Sequence, residues 1–214
     1  MSCDPIIRTR AHFKGVGIFL IIAGLLALPA CSVMSIHPLY EDVSPRDPDI
    51  VIDKDLAGSW SLTDEKCTTI LTVAAAKDEV YDFRAVGEGE GCSDHGKETR
   101  QQARLVKLDS YYFLDVSPRA EDVCVTCLAL HTILLARFDK DTLALTPIDS
   151  DGLNELLQAG TVHLKILPED PKQLIPERPM TLTALSKDLK KFCHKFAENK
   201  KVFKPESTET FKRK

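Results

Sequence analysis

From Leu56 onward the chain changes its hydrophobic period to two, and this pattern most constrains the fold. Trp60 and Leu62 alternate with polar neighbours. Residues 68–75, 80–86, 99–108, 111–116, 128–138, 142–148 and 162–167 each read as a short strand, with further strand character at 182–185. Alternation at this period buries one face of each strand and solvates the other. Turn chemistry lies between the runs. Asp109-Ser110 predicts a two-residue hairpin, Asp139-Lys140-Asp141 predicts a second, and Gly87 to Gly91 predicts a loop. Many short strands separated by such turns point to an antiparallel barrel or sandwich, and we find no solenoid repeat.

Two helices interrupt or follow the strands. Ser150-Asp151-Gly152 opens one, which carries Leu153, Leu156 and Leu157 on one face and ends at Gly160. Ser186 is the expected N-cap of the other, with Asp188 in its first turn. Leu189, Phe192, Cys193 and Phe196 form its packing stripe. Four prolines between 168 and 179 predict a loop.

The N-terminal 30 residues have a different character. Arg8, Arg10 and Lys14 precede an uncharged aliphatic run over 16–27, which leads into Leu28-Pro29-Ala30-Cys31. This is the layout of a secretory signal peptide. Two other readings are a plain cleaved signal and a spanning helix, although the run falls short of the roughly 20 apolar residues a bilayer needs. Leu-x-Ala-Cys resembles the lipobox of bacterial lipoproteins. That resemblance implies cleavage before Cys31, acylation of its thiol and amine (palmitate among the chains), and a mature protein held at the membrane by acyl chains. Ser32 resembles the sorting position of lipoproteins sent to the outer membrane, implying the periplasmic face of that membrane in the bacterial cell envelope.

The sequence has 214 residues and a formal charge of -4; without residues 1–30 it is near -6. Such a balance gives no electrostatic reason to bind nucleic acid. We divide the chain into a signal peptide at 1–30, an acidic Pro-rich tether at 31–55, an antiparallel β domain with a C-terminal helix at 56–205, and a basic flexible tail at 206–214. Ile36-His37-Pro38-Leu39-Tyr40 is an apolar island in the tether that could dock like a first strand. The lysines between 187 and 204 predict a solvated helix face.

Gly58-Ser59-Trp60 resembles the Gly-x-Trp opening of lipocalin-like barrels. With His37-Pro38-Leu39-Tyr40 and Tyr112-Phe113-Leu114-Asp115, the layout is similar to uncharacterised bacterial lipoproteins. The resemblance implies a mainly β fold: an antiparallel lipocalin-like barrel or half-barrel with one short helix and a C-terminal helix. It carries over no established activity. A barrel interior is the usual site for a small lipophilic ligand, and Trp60, Tyr81, Phe83, Tyr112 and Phe113 are the candidate walls, with plain core as the competing role.

An exported chain can form disulfides. Beyond Cys3 and Cys31 there are five cysteines, an odd number. The preferred pairs are Cys67 with Cys92 and Cys124 with Cys127, leaving Cys193 free; spacing alone does not decide connectivity. Cys124-Val125-Thr126-Cys127 could also be a redox pair or half of a zinc site, completed by Cys67 and Cys92 or by His95 or His131. A zinc ribbon's second short-spaced pair is missing. His131 and His163 read as sheet-surface or satisfied core histidines. Asp82, Asp109, Asp115 and Asp122 read as strand-end or turn residues. No nucleophile elbow or phosphate loop is present. The expectation is a non-enzymatic binding or structural module, without a cofactor or metal. The alternatives are an accessory factor that docks onto an envelope protein partner, for which Lys190, Lys191 and Lys195 are the candidate contacts, and a thiol- or zinc-dependent protein.

Overall fold

The computed structural model describes residues 33–41, 47–64, 66–75, 77–92, 96–123, 127–167 and 180–214. The signal peptide, Cys31, His95, Cys124 and the proline-rich stretch at 168–179 lie outside the described residues. The chain enters through two short strands, β1 (Val33–Ser35) and β2 (Ile50–Val51). A meander follows: β3 (Gly58–Asp64), β4 (Cys67–Ala75), β5 (Tyr81–Glu88), β6 (Glu98–Leu108), β7 (Tyr111–Ser117), β8 (Thr132–Phe138) and β9 (Thr142–Pro147). Then come α1 (Ser150–Gln158), β10 (Met180–Leu182), α2 (Ser186–Phe196) and β11 (Glu209–Arg213).

Each strand from β3 to β9 pairs antiparallel with the next, and β11 inserts between β9 and β3. The result is a closed eight-strand antiparallel barrel, so the half-barrel alternative is set aside. Closure leaves none of the eight strands with a free edge along its whole length. β2 pairs with the second half of β6, next to the stretch that β5 covers.

The C-terminal residues correct an expectation. Residues 206–214 read as a basic flexible tail, but Glu209–Arg213 is the strand that closes the barrel. The segment carries one large apolar residue, Phe211, which is too weak a pattern to suggest a strand. In the barrel Phe211 is the one large apolar side chain of the strand to be buried, while Lys212 faces solvent. The tether reading is likewise corrected for its described part. Val33–Ser35 pairs parallel with β10, Leu39 is buried, and Ile50–Val51 joins β6. The described part is a packed strap rather than a spacer.

Smaller differences have local causes. The residues at 162–167 form no strand; Ile166 makes only an isolated bridge to Leu182. Leu185, not Ser186, is the N-cap of α2, and it has no side chain able to cap. Gly87 and Glu88 extend β5 rather than opening a loop. A Cβ on Gly87 would lie 3.1 Å from Cys92 Sγ, so the strand passes close against the disulfide there. Helix α1 begins as expected, with the Asp149 carboxylate accepting from Gly152 N at 2.8 Å, and Gly160 follows its end at positive φ.

Two cores share the barrel wall. The inner one holds Trp60, Leu71, Tyr81, Phe83, Leu105, Leu114, Leu143 and Phe211. The outer one lies between β6–β8 and the covering layer of α1, α2 and the N-terminal strap, with Phe113, Leu135, Leu189, Phe192 and Phe203 at its centre. Strands β7 and β8 are therefore buried on both faces and read as near-continuous apolar runs, whereas β4 and β5 alternate.

Candidate functional site

The barrel has unlike ends. At one end the chain before β3 folds across the opening. Trp60 points inward, fully buried, and its indole N–H donates to the Leu56 carbonyl at 3.0 Å. Arg213 covers it from the last strand, with Cζ 4.1 Å from the ring centroid. The guanidinium donates to the carbonyls of Ala57 (3.0 Å), Asp55 (2.5 Å) and Lys140. Gly58 has φ +151°, a backbone conformation that side chains rarely adopt, which explains the glycine two residues before the tryptophan. Beside it, the Tyr81 hydroxyl accepts from Asp53 N (2.7 Å) and donates to Asp53 O (3.0 Å). This end is sealed.

Toward the opposite end the inward-facing side chains become more polar. Strand alternation aims Leu62, Thr69, Gln101 and Glu209 inward there, since Trp60, Leu71, Ala103 and Phe211 two residues on or back are inner core. Leu62, Gln101 and Glu209 are only half-buried. Burial pushes the Glu209 carboxyl up to about 7, because desolvation penalises the charged form. Thr69 is buried, and its hydroxyl has no hydrogen-bond partner among the described residues. The rim carries the disulfide between Cys67 and Cys92, whose Cα atoms are 5.0 Å apart.

A second polar constellation lies outside the wall, beneath the strap. The Asp115 side chain is fully buried on β7, and one carboxylate oxygen sits 2.6 Å from His131 Nδ1. The other accepts from the Leu39 backbone N–H. Ser35 and His131 exchange backbone hydrogen bonds at 2.8 Å. Further along, Lys190 Nζ donates to Asp47 (2.6 and 2.8 Å) and Asp49 (2.6 Å). Burial raises the Asp47 carboxyl, but the Lys190 hydrogen bonds and charge and the N–H groups of Glu41 and Asp49 outweigh it and hold the carboxyl below its ordinary range. Both groups tie the strap down. Cys193 is free, buried on α2 and close enough for the Asp115 charge to be felt. Burial first, and then that charge, push its thiol up and make it a poor nucleophile.

The residues singled out in the sequence are distributed unevenly. Trp60, Tyr81, Phe83 and Tyr112 belong to the inner cluster, toward its sealed half. Phe113 does not join them; it faces the outer core, 6.0 Å from Phe203. The Cys67–Cys92 pairing and the free Cys193 match expectation. Cys127 is disulfide-bonded, and its preferred partner Cys124 lies outside the described residues. Among the described residues no cluster of His, Cys, Asp or Glu could hold a metal. Asp115 is not the strand-end residue expected but a buried anchor, while His131, expected as a sheet-surface or satisfied core histidine, is part-buried with Nδ1 on Asp115. Lys190 is likewise drawn from the solvated face into an ion-pair network. Thr69, Gln101 and Glu209 carry no signal in the sequence, because only the barrel register reveals that they face its interior. No protein-family model matches the chain, and neither do curated proteins or solved structures.

Proposed function

We propose that the protein is a lipid-anchored binding module of the bacterial cell envelope, non-enzymatic, taking a small amphipathic ligand at the barrel mouth. The anchor rests on Leu28 to Cys31 and the basic, apolar run before them. The observation that carries the binding role is the asymmetry of the barrel. One end is closed by Trp60 and Arg213, while the other presents half-buried inward side chains around the unpartnered Thr69 hydroxyl. The fully buried Trp60, Tyr81 and Phe83 serve as floor rather than as the walls of a deep calyx. A shallow mouth with polar groups suits a ligand with an apolar tail and a hydrogen-bonding head.

Native mass spectrometry of the full chain, followed by titration with cis-parinaric acid, tests this reading. The expected result is a one-to-one adduct and saturable fluorescence, both weakened at least several-fold by Leu62→Trp. Equal, non-saturable signal from both proteins would overturn it.

A second reading has its own support. Lys187, Lys191 and Lys195 on α2 are exposed, unlike Lys190, and give a basic face suited to docking an acidic envelope protein. Loss of a crosslinked partner on charge reversal of those three lysines would favour it.

A further inference from the structure

We propose that Leu128, Ile166, Leu167 and Leu185 form a surface that rests on the lipid bilayer, so that the folded body lies flush against the membrane. The inference rests on the lipid-anchor reading and adds the orientation of the body. The first argument is reach. Strand β1 begins at Val33, two residues after Cys31. Two extended residues span at most about 7 Å. A chain acylated at Cys31 therefore has no long leash, and whatever surrounds β1 lies at the lipid headgroups.

The second argument is what surrounds β1. Its parallel partner is β10, with Val33 opposite Met180. On the other edge of β10, Ile166 bridges Leu182 and Leu167 N donates to Thr181 O at 2.8 Å. Leu185 follows β10 by three residues. Leu128 lies three residues before His131, which pairs with Ser35. These four side chains are 65%, 42%, 52% and 62% exposed for Leu128, Ile166, Leu167 and Leu185. Among the described residues the only other exposed large hydrophobic is Ile52. Large apolar side chains left in water and gathered beside one attachment point mark an interaction surface. Exposed Lys165 and Lys187 adjoin them and suit lipid phosphates. The arrangement is that of an interfacial contact, apolar side chains at the acyl boundary with cations at the headgroups.

This orientation bears on the proposed ligand site. Ser35 meets the chain at His131, one residue before β8 begins at the mouth end of the barrel. The bilayer contact therefore lies on the same side as the opening.

The test uses the full chain made in a bacterial host and extracted in detergent. Its intact mass reports acylation at Cys31. The protein is then reconstituted into phosphatidylethanolamine–phosphatidylglycerol vesicles carrying a carbene-generating photolipid, and labelled peptides are mapped. The expected result is acylated protein with label at residues 128, 166–167 and 185, several-fold above the outward faces of β4 and β5. Acylated protein labelled only beside Cys31 would overturn the contact while leaving the anchor standing. Crosslinks joining the same patch of two copies, without lipid label, would overturn it in favour of self-association. An unacylated, uncleaved chain would instead remove the anchor reading, and this inference with it.

Discussion

Arg213, next to last in the chain, lies over the ring of Trp60, the third residue of the first barrel strand, at 4.1 Å from its centroid. The contact joins the two strands at the closing seam, where Arg213 stands opposite Trp60 in register. A stacked, partly desolvated guanidinium contributes up to about 2 kcal/mol, and each charge-assisted hydrogen bond adds roughly 1.5 kcal/mol or more when well formed. Some of those bonds are solvent-exposed, so the sum is discounted. Arg213→Ala is expected to lower stability by about 2–3 kcal/mol in urea unfolding. Arg213→Lys should recover less than half, since an ammonium lacks the planar fork that reaches several carbonyls at once. Truncation after Thr208 removes the eighth strand and should abolish cooperative unfolding. A truncated chain with an unchanged midpoint would show that the seam contributes little.

The sequence showed the barrel well and its closure poorly. Seven meander strands announce themselves through residues such as Phe83, Leu105, Leu114 and Leu143, whose period of two survives any register. β11 does not, because Phe211 is its one large apolar residue and the flanking Glu209, Thr210, Lys212 and Arg213 look like a tail. The strap was hidden for a related reason. Asp47 and Asp115 make it stick, and a buried carboxylate is indistinguishable in sequence from a solvated one until its partner arrives from 143 residues away, as Lys190 does for Asp47. Likewise Phe113 and Leu114 look equivalent in a run buried on both faces. Only the outer layer of helices assigns one to each core.

Asp115 holds the strap against the barrel through groups that have little access to water. Replacing it with alanine leaves the Leu39 N–H and the His131 ring nitrogen without their acceptor. Removing one partner from a buried polar pair costs about 3 kcal/mol. The expected effect of Asp115→Ala is a loss of that size, with faster hydrogen exchange concentrated at residues 33–41. Asp115→Asn keeps one acceptor oxygen and should fall between. Uniform acceleration of exchange across the barrel, with no local excess in the strap, would contradict the assignment.

Glu209 gives the mouth a pH dependence of definite sign. Its carboxyl is pushed up to about 7 in the folded protein, against 4.5 ordinarily. A raised folded value means the native state holds the proton more tightly than the unfolded chain. Its favourable contribution is whole below about pH 4.5, drains as pH rises toward 7, and is gone above that. At about 1.4 kcal/mol per unit the upper bound is about 3.5 kcal/mol, and partial solvation reduces it to about 1–2 kcal/mol. Glu209→Gln should therefore match the parent at pH 5 and exceed it at pH 8 in urea midpoint. Parallel midpoints at the two pH values would mean that Glu209 stays ionised in the folded state.

Cys193 offers a readout of how tightly the outer layer packs. It is wholly buried on α2, and burial together with the Asp115 charge pushes its thiol up. A thiol that is both inaccessible and protonated reacts only through opening of the helix. Alkylation by iodoacetamide at pH 8 should therefore be slow in the native protein and rapid in denaturant. In Asp115→Ala the strap loosens, but the electrostatic bias against the thiolate is also removed. Both changes speed labelling, and Asp47→Ala separates them: it removes the buried partner of Lys190, leaving only Asp49, and loosens the strap while keeping the Asp115 carboxylate beside Cys193. Labelling that accelerates in both variants follows the strap, and labelling that accelerates only in Asp115→Ala follows the charge. Native labelling as fast as that of the denatured chain would mean that α2 does not cover Cys193 in solution.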